Sequence, residues 1–332
     1  MDYFLGIDQG GTKTAALVCD IKGNILGTGY DNGLAEIYFN DTEELYIKRI
    51  VNASKIACAV AGIKLNEIKA VCGGLNGADW DHEYPILRAR LLKSLEIEDI
   101  IVLNDCIAAM RGGSAEKKCS VICAGSGLNA AVRRAEGDEI IYGYYIADPY
   151  QGAGALGKAA LWKAVDAYLE ISGPTILQEQ ILDHTGYANV EELMIDYTTG
   201  KYELELKSLC PMLLKAALEG DAEALCVTND FARGTARYII GGLKHMGMSG
   251  DSLPLVFSGG VFKGEAGITL ADKIFNIIAK KEPNLIKLHA QYEPVCGAAL
   301  TLLDREYKGV RNDDLNAAFD ESAKIHGLLR QG

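Results

Sequence analysis

The residues best suited to chemistry stand together at Asp8-Gln9-Gly10-Gly11-Thr12-Lys13-Thr14, between the apolar runs Phe4-Leu5-Gly6-Ile7 and Ala15-Ala16-Leu17-Val18. Apolar runs of strand length around a glycine pair spell strand, tight turn, strand. At Gly10 and Gly11 no side chain holds a ligand off, so backbone N–H groups can meet an anion. Thr12 adds a hydroxyl and Lys13 a positive charge. Asp8, at the end of the first strand, suits a hydrated Mg²⁺, a hard cation that takes oxygen ligands and keeps most of its waters. The combination describes a phosphate loop; an ordinary hairpin would use the same glycine pair.

The device recurs. Ser120-Val121-Ile122-Cys123-Ala124 leads into Gly125-Ser126-Gly127 and out through Leu128-Asn129-Ala130-Ala131-Val132. Gly11 is followed twelve residues later by Gly23 in a second turn, and Gly125 twelve later by Gly137. Two strand–loop–strand–turn–strand units predict two related domains with their glycine loops facing each other across a polyphosphate. A third element, Leu253-Pro254-Leu255-Val256-Phe257-Ser258-Gly259-Gly260, is a buried strand ending in a glycine pair, where a flat ring can lie against backbone. Finally, the strand Ile100-Ile101-Val102-Leu103 ends in Asn104-Asp105 before a helical run. Ligands of open α/β sheets gather at the carboxyl ends of strands, which puts Asp105 where chemistry is done. A helix N-cap is the structural alternative for the same residue.

In this order the motifs resemble the actin, sugar-kinase and heat-shock-chaperone superfamily of ATP-binding proteins, and within it the N-acetylglucosamine kinase branch of the BadF/BadG/BcrA/BcrD-type ATPases. The resemblance runs from about residue 4 to about residue 305. It implies an α/β fold of two ribonuclease-H-like, actin-like lobes with a nucleotide cleft between them: residues 1–115 as the first lobe, 116–311 as the second with a helical insertion, and a terminal helix, 312–332, returning to the first. It further implies ATP held by Asp8, Gly10, Gly11, Thr12, Lys13, Gly125, Ser126, Gly127, Ser258, Gly259 and Gly260, Mg²⁺ held by Asp8 through water, and Asp105 as general base toward a sugar's primary hydroxyl. The sugar contacts it implies are Glu36, Asn76, Asn104, Gly143, Tyr144 and Gln151.

Composition agrees with a large folded chain. Its 332 residues exceed what one core usually carries, and 49% hydrophobic with 23% charged residues is a globular composition. A net charge of −12 without a basic run disfavours nucleic acid and anionic membrane as partners. No apolar run reaches the ~20 residues of a membrane span, and the chain reads as cytoplasmic. The nine cysteines lack C-x-x-C spacing and read as free buried thiols. Apolar periodicity predicts a helix over 42–61, a βαβ unit over 68–103, and helices at 156–171, 176–184, 190–197, 206–218 and 222–245. A homodimer is the expected assembly.

The sequence departs from the family around the sugar. Gly33-Leu34-Ala35-Glu36 stands where the family has Gly-Pro-Ser-Asn, so a carboxylate replaces an amide. Tyr150-Gln151 replaces an acidic pair, leaving Asp148 as a substitute. Tyr144, in the family's aromatic slot, either stacks on a sugar face or lies in the core. If Glu36 faces the sugar, an ammonium group is favoured there over a carboxylate. Two other readings stay open: an ATPase that energises a partner enzyme through an iron–sulfur cluster, for which Cys106 stands at a helix start but without an evident cysteine pair, and a nucleotide-binding regulator without catalysis.

Overall fold

The computed structural model describes residues 2–32, 42–309 and 312–330. Five strands form the first sheet: β1 (Tyr3–Gln9), β2 (Lys13–Asp20), β3 (Ile25–Asn32), β4 (Ile68–Leu75) and β5 (Ile100–Asn104). Their order is β3-β2-β1-β4-β5, with the β1–β2 and β2–β3 pairs antiparallel and the β1–β4 and β4–β5 pairs parallel. Five later strands repeat the plan: β6 (Cys119–Ala124), β7 (Leu128–Arg133), β8 (Glu139–Ile141), β9 (Leu253–Ser258) and β10 (Leu285–His289). Their order, β10-β9-β6-β7-β8, is the same arrangement, again two antiparallel pairs followed outward by two parallel ones. The internal repeat seen in the glycine spacing is therefore a repeat of topology.

Both faces of the first sheet are covered, which is why its strands are almost continuously apolar. On one face Leu5, Ile7, Val18 and Val71 meet Tyr46, Ile50, Ala53 and Ala57 of α1 (Thr42–Ala61) and Leu87 and Leu91 of α2 (Glu83–Leu95). On the other, Phe4, Leu17 and Cys72 meet α10 (Pro294–Glu306) and α11 (Asp313–Ile325) through Val295, Ala299, Leu315 and Phe319. Gly6 permits the approach, since a Cβ there would lie 2.8 Å from the Val295 carbonyl oxygen. Beside the second sheet, α4 (Gly152–Tyr168), α5 (Leu177–Thr185), α6 (Val190–Thr198), α7 (Cys210–Leu218), α8 (Ala222–His245) and α9 (Gly264–Ala279) share one core with Ile122, Leu255 and Phe257.

The expected boundary at 115/116 does not divide the packing cleanly. Helix α3 (Asp105–Gly113) follows β5, yet Cys106, Ile107 and Met110 pack under Val121 and Val256 of the second sheet. Helix α10, assigned by that boundary to the second lobe, lies on the first sheet. The two helices cross at Gly297, where a Cβ would lie 1.8 Å from the Ala108 carbonyl oxygen, so the crossing requires glycine. Other differences are local. The 206–218 helix opens as a 3-10 turn over Leu206–Leu209, and the α-helix starts only where Pro211, lacking an N–H, can occupy its first turn. The terminal helix stops at Ile325, and the chain then runs on to Arg330 as a tail bridged to Tyr292 through Leu329. Among the described residues no helix is long and apolar enough to cross a membrane.

Candidate active site

The carboxyl ends of β1, β4, β5 and β6 converge on a cleft of about 610 Å³. On one side lie the two glycine loops. The Gly10 N–H donates to the Lys13 carbonyl at 3.0 Å and the Gly125 N–H to the Gly127 carbonyl at 2.9 Å, closing each hairpin tightly. Gly10, Gly11, Thr12, Lys13, Gly125, Ser126, Gly127, Gly259 and Gly260 all line the cleft. A Cβ on Gly11, Gly125 or Gly260 would meet no protein atom within 4 Å, and none of the three adopts the left-handed backbone that favours glycine. Neither fold nor backbone strain demands glycine there, and what the missing side chains leave open is the cleft itself. Gly259 is different: φ is +105° and a Cβ would lie 2.0 Å from the Ala124 carbonyl oxygen, so this glycine serves the fold.

Two carboxylates sit at the floor. Asp8 is the penultimate residue of β1 and Asp105 opens α3. The cap of α3 is Asn104, whose Oδ1 accepts the Cys106 N–H at 2.9 Å, so Asp105 is relieved of the structural role its position suggested. Burial pushes the Asp105 carboxyl up to about 7; the charges of Asp8 and Asp79 add to this, and backbone N–H groups of Cys106 and Asp105 oppose it. Burial also raises Asp8, to about 6, against the charge of Lys13. A carboxyl group poised near neutrality is what general-base catalysis at neutral pH requires.

The other side of the cleft is a net of amides around Asp79. Asp79 Oδ1 accepts from Asn104 Nδ2 at 3.1 Å and from Asn129 Nδ2 at 3.4 Å. Asn129 Oδ1 in turn accepts the Gly143 N–H at 2.8 Å, and its Nδ2 donates to Asn104 Oδ1 at 3.2 Å. Residues from β4's end, β5 and β7 are thus tied across the two sheets. A Cβ on Gly143 would fall 2.4 Å from Asp79 Oδ1, so glycine is needed there. Burial and the nearby Glu83 charge raise Asp79 somewhat, and its two amide donors hold it back.

Most sequence-predicted residues meet here, with four corrections in detail. Asn104 does not touch the cleft; it is fully buried and bonds Ala78, Asp79, Cys106 and Asn129. Ser258 is likewise buried, its Oγ accepting from Arg330 at 3.1 Å. Gln151 lines the cleft, but its amide ties Ile146 and Leu128 backbone together at 2.9 and 3.4 Å. Asp148 is exposed and is not among the cleft-lining residues. Tyr144 is 49% exposed at the cleft, not in the core, its ring parallel to Trp80 at 5.9 Å between centroids. Asn76 lines the cleft with a buried Oδ1 that has no partner. Glu36 lies outside the described residues. The cleft also holds Asp79, Asn129, Glu293 and Arg330, which the sequence reading missed. Asp79 was within reach of the strand-end rule that found Asp105; Arg330 had no local signal. Cys106 is 1% exposed within the α3 core, away from any surface where a partner's cluster ligands would meet it.

Twin sheets of one strand order, two glycine loops bordering one cleft and a carboxylate floor define a two-lobed, actin-like ATPase fold. Solved structures agree: a ROK family glucokinase from Streptomyces griseus in complex with glucose and AMPPNP (TM-score 0.61, 21% identity, 90% of this chain and 98% of that one) and a ROK hexokinase from Thermus thermophilus (0.56, 18%, 90% and 98%). Residues 5–301 match the BadF/BadG/BcrA/BcrD ATPase family, and the chain belongs to that family. It is similar to the N-acetylmuramic acid/N-acetylglucosamine kinase of Clostridium acetobutylicum, 26% identical over 267 residues covering 79% of this chain and 86% of that one. It is also similar to the N-acetyl-D-glucosamine kinase of Dictyostelium discoideum, 25% identical over 323 residues, 91% and 98% of the two chains.

Proposed function

We propose that this protein is an ATP-dependent kinase of an amino sugar, phosphorylating the primary hydroxyl with Asp105 as general base. The observation that carries the reading is the pairing of Asp105, raised to about 7, with three glycines whose open faces border the same cleft. A sugar hydroxyl is a poor nucleophile, and a carboxylate must take its proton as the bond to phosphorus develops. The glycine-loop N–H groups supply donors for phosphate oxygens, and Lys13, its ammonium held 5.5 Å over the Tyr30 ring, supplies charge. Asp79 and Asn129, fixed by Asn104, present hydrogen-bonding groups to the sugar.

Mg²⁺ fits this donor set. Asp8 and Asp105 are partly buried carboxylates lining the cleft, and among the described residues no cluster of three His, Cys, Asp or Glu forms a protein cage. That suits a cation that keeps its waters and binds one carboxylate and substrate phosphates, with Asp8 as the water-mediated ligand. When bound, Mg²⁺ spreads the charge of the transferring group.

The finer reading concerns the sugar's charge. Among the described residues, the two cations lining the cleft, Lys13 and Arg330, lie by the first glycine loop and by Ser258, and the side formed by Asp79, Asn129 and Tyr144 carries none. Residues 33–41 contain none and include Glu36. A neutral or amine-bearing sugar therefore suits this side better than the lactyl carboxylate of N-acetylmuramic acid. A cytoplasmic homodimer completes the proposal. The test is ADP release against N-acetylglucosamine, glucosamine, N-acetylmannosamine, N-acetylmuramic acid and glucose. Turnover with a neutral or amine-bearing amino sugar and little with N-acetylmuramic acid is expected; no sugar-dependent turnover would refute the reading.

A further inference from the structure

The tail beyond α11 is tied down along its length. The Leu328 N–H donates to the Ala323 carbonyl at 2.8 Å, the Glu293 N–H to the Leu328 carbonyl at 2.9 Å, and the Arg330 N–H to the Gln291 carbonyl at 2.9 Å. Leu328 is 1% exposed within the core of the first sheet. This strap carries Arg330 into the cleft wall, where its side chain is 10% exposed.

There the guanidinium is only partly satisfied. One terminal nitrogen donates to Ser258 Oγ at 3.1 Å and the other to Glu293 Oε2 at 3.4 Å, while Nε is buried without an acceptor. Neutralising Glu293 does not explain the residue, because Lys263 Nζ already lies 2.9 Å from that carboxylate. A guanidinium offers five donors in a planar fork, and a buried donor without an acceptor is costly. The cleft around it holds four carboxylates, Asp8, Asp79, Asp105 and Glu293, and two cations, Lys13 and Arg330. A polyphosphate entering such a site meets Lys13 and Arg330 as its cationic side chains.

We propose that Arg330 is a phosphate-binding residue of the nucleotide site, delivered in cis by the C-terminal strap and held in orientation by Glu293 and Ser258. The inference rests on the kinase reading above and adds to it a residue outside the 5–301 family match. Its place is beside the second glycine loop, because Ser258, which accepts its hydrogen bond, is paired with Cys123 on β6, the strand that leads into Gly125-Ser126-Gly127. Planar, permanently charged donors suit phosphate oxygens, and lysine reproduces the charge without the fork.

The experiment is calorimetric titration of ATP and of adenosine into wild type, R330A and R330K, each checked for an intact thermal transition. R330A is expected to weaken ATP binding on the order of tenfold or more, as for loss of a charge-assisted bond, with adenosine affinity within about twofold and R330K intermediate. Unchanged ATP affinity in R330A overturns the role, and so does an equal loss of ATP and adenosine, which marks a merely structural staple. Should R330A fail to fold, the comparison of R330K with wild type decides: equal ATP affinity with reduced adenosine affinity overturns the proposal, and selective loss of ATP affinity supports it. A wild type that binds no ATP overturns the kinase reading itself, an outcome distinct from either.

Discussion

The two ends of the cleft are built on different principles. At the end proposed for the phosphates the elements are local: a strand, a glycine turn of three residues and the returning strand, and this happens twice. At the end proposed for the sugar nothing is local. Asp79, Asn104, Asn129 and Gly143 come from four separate chain segments and become a site only through mutual hydrogen bonds of 2.8 to 3.4 Å. A local site can be copied as a unit, as the twin hairpins show; a convergent one changes by single residues at its corners. That fits a sugar side that departs from the family pattern while both glycine loops keep theirs.

The contrast can be broken at its strongest point first. Gly11→Val and Gly125→Val put a β-branched side chain where no protein atom stands within 4 Å, so ATP affinity is expected to fall by a factor on the order of 100 with the melting temperature nearly unchanged. Nucleotide titration and thermal melting of the same samples check both halves. Gly259→Ala reverses the pattern. Its left-handed backbone and the nearby Ala124 carbonyl predict a loss of about 2–4 kcal/mol in stability by denaturant unfolding. A stable Gly259→Ala protein would erase the distinction between glycines kept for the fold and glycines kept for the ligand.

At the sugar end, Asp79→Asn is expected to raise KM for the sugar by roughly tenfold, the scale of one lost charge-assisted hydrogen bond, with kcat within a few-fold and ATP affinity unchanged. It should also narrow the preference for neutral over anionic sugars. Steady-state kinetics on N-acetylglucosamine and N-acetylmuramic acid measure both effects, and an unchanged KM would remove Asp79 from the sugar site.

The smallest effect is on stability. The Asp105 carboxyl has an ordinary value near 3.8 and stands at about 7 when folded. Between these values the folded chain holds a proton the unfolded chain releases, so stability contributed by this group is present at low pH and declines as pH rises through the window. Asp105→Asn removes that dependence. Its melting temperature should exceed wild type by about 2 °C or more at pH 8 and match it near pH 4, the scale expected for ~1 kcal/mol in a chain of this size.

The same contrast explains what the sequence made legible. Both hairpins, the 42–61 and 222–245 helices and the strand-end position of Asp105 are encoded within short windows, by alternating apolar runs, glycine pairs and caps. The terminal tail is not: Arg330 follows a polar amphipathic helix, and its destination depends on Leu328 and Leu329 docking some forty residues upstream, beside Tyr292. The placement of α10 on the first sheet had the same cause, since Gly6 and Gly297 read as ordinary glycines until their distant partners are known. Asn104 shows the limit most directly. The family resemblance implied a sugar ligand, and the structure uses it as the cap of α3 and the hub of the Asp79 net.

The most direct measurement is acceptor-dependent ADP release by wild type and Asp105→Asn, side by side, over pH 5 to 9 with N-acetylglucosamine or glucosamine. Wild type should release ADP far faster with sugar than without, with kcat/KM rising as pH passes about 7, where Asp105 loses its proton. The variant should fall by about 10²-fold or more, as expected for loss of a general base, while binding ATP as wild type does. Equal ADP release with and without sugar, or a variant within a few-fold of wild type, would contradict the assignment of Asp105 as the base of a sugar kinase.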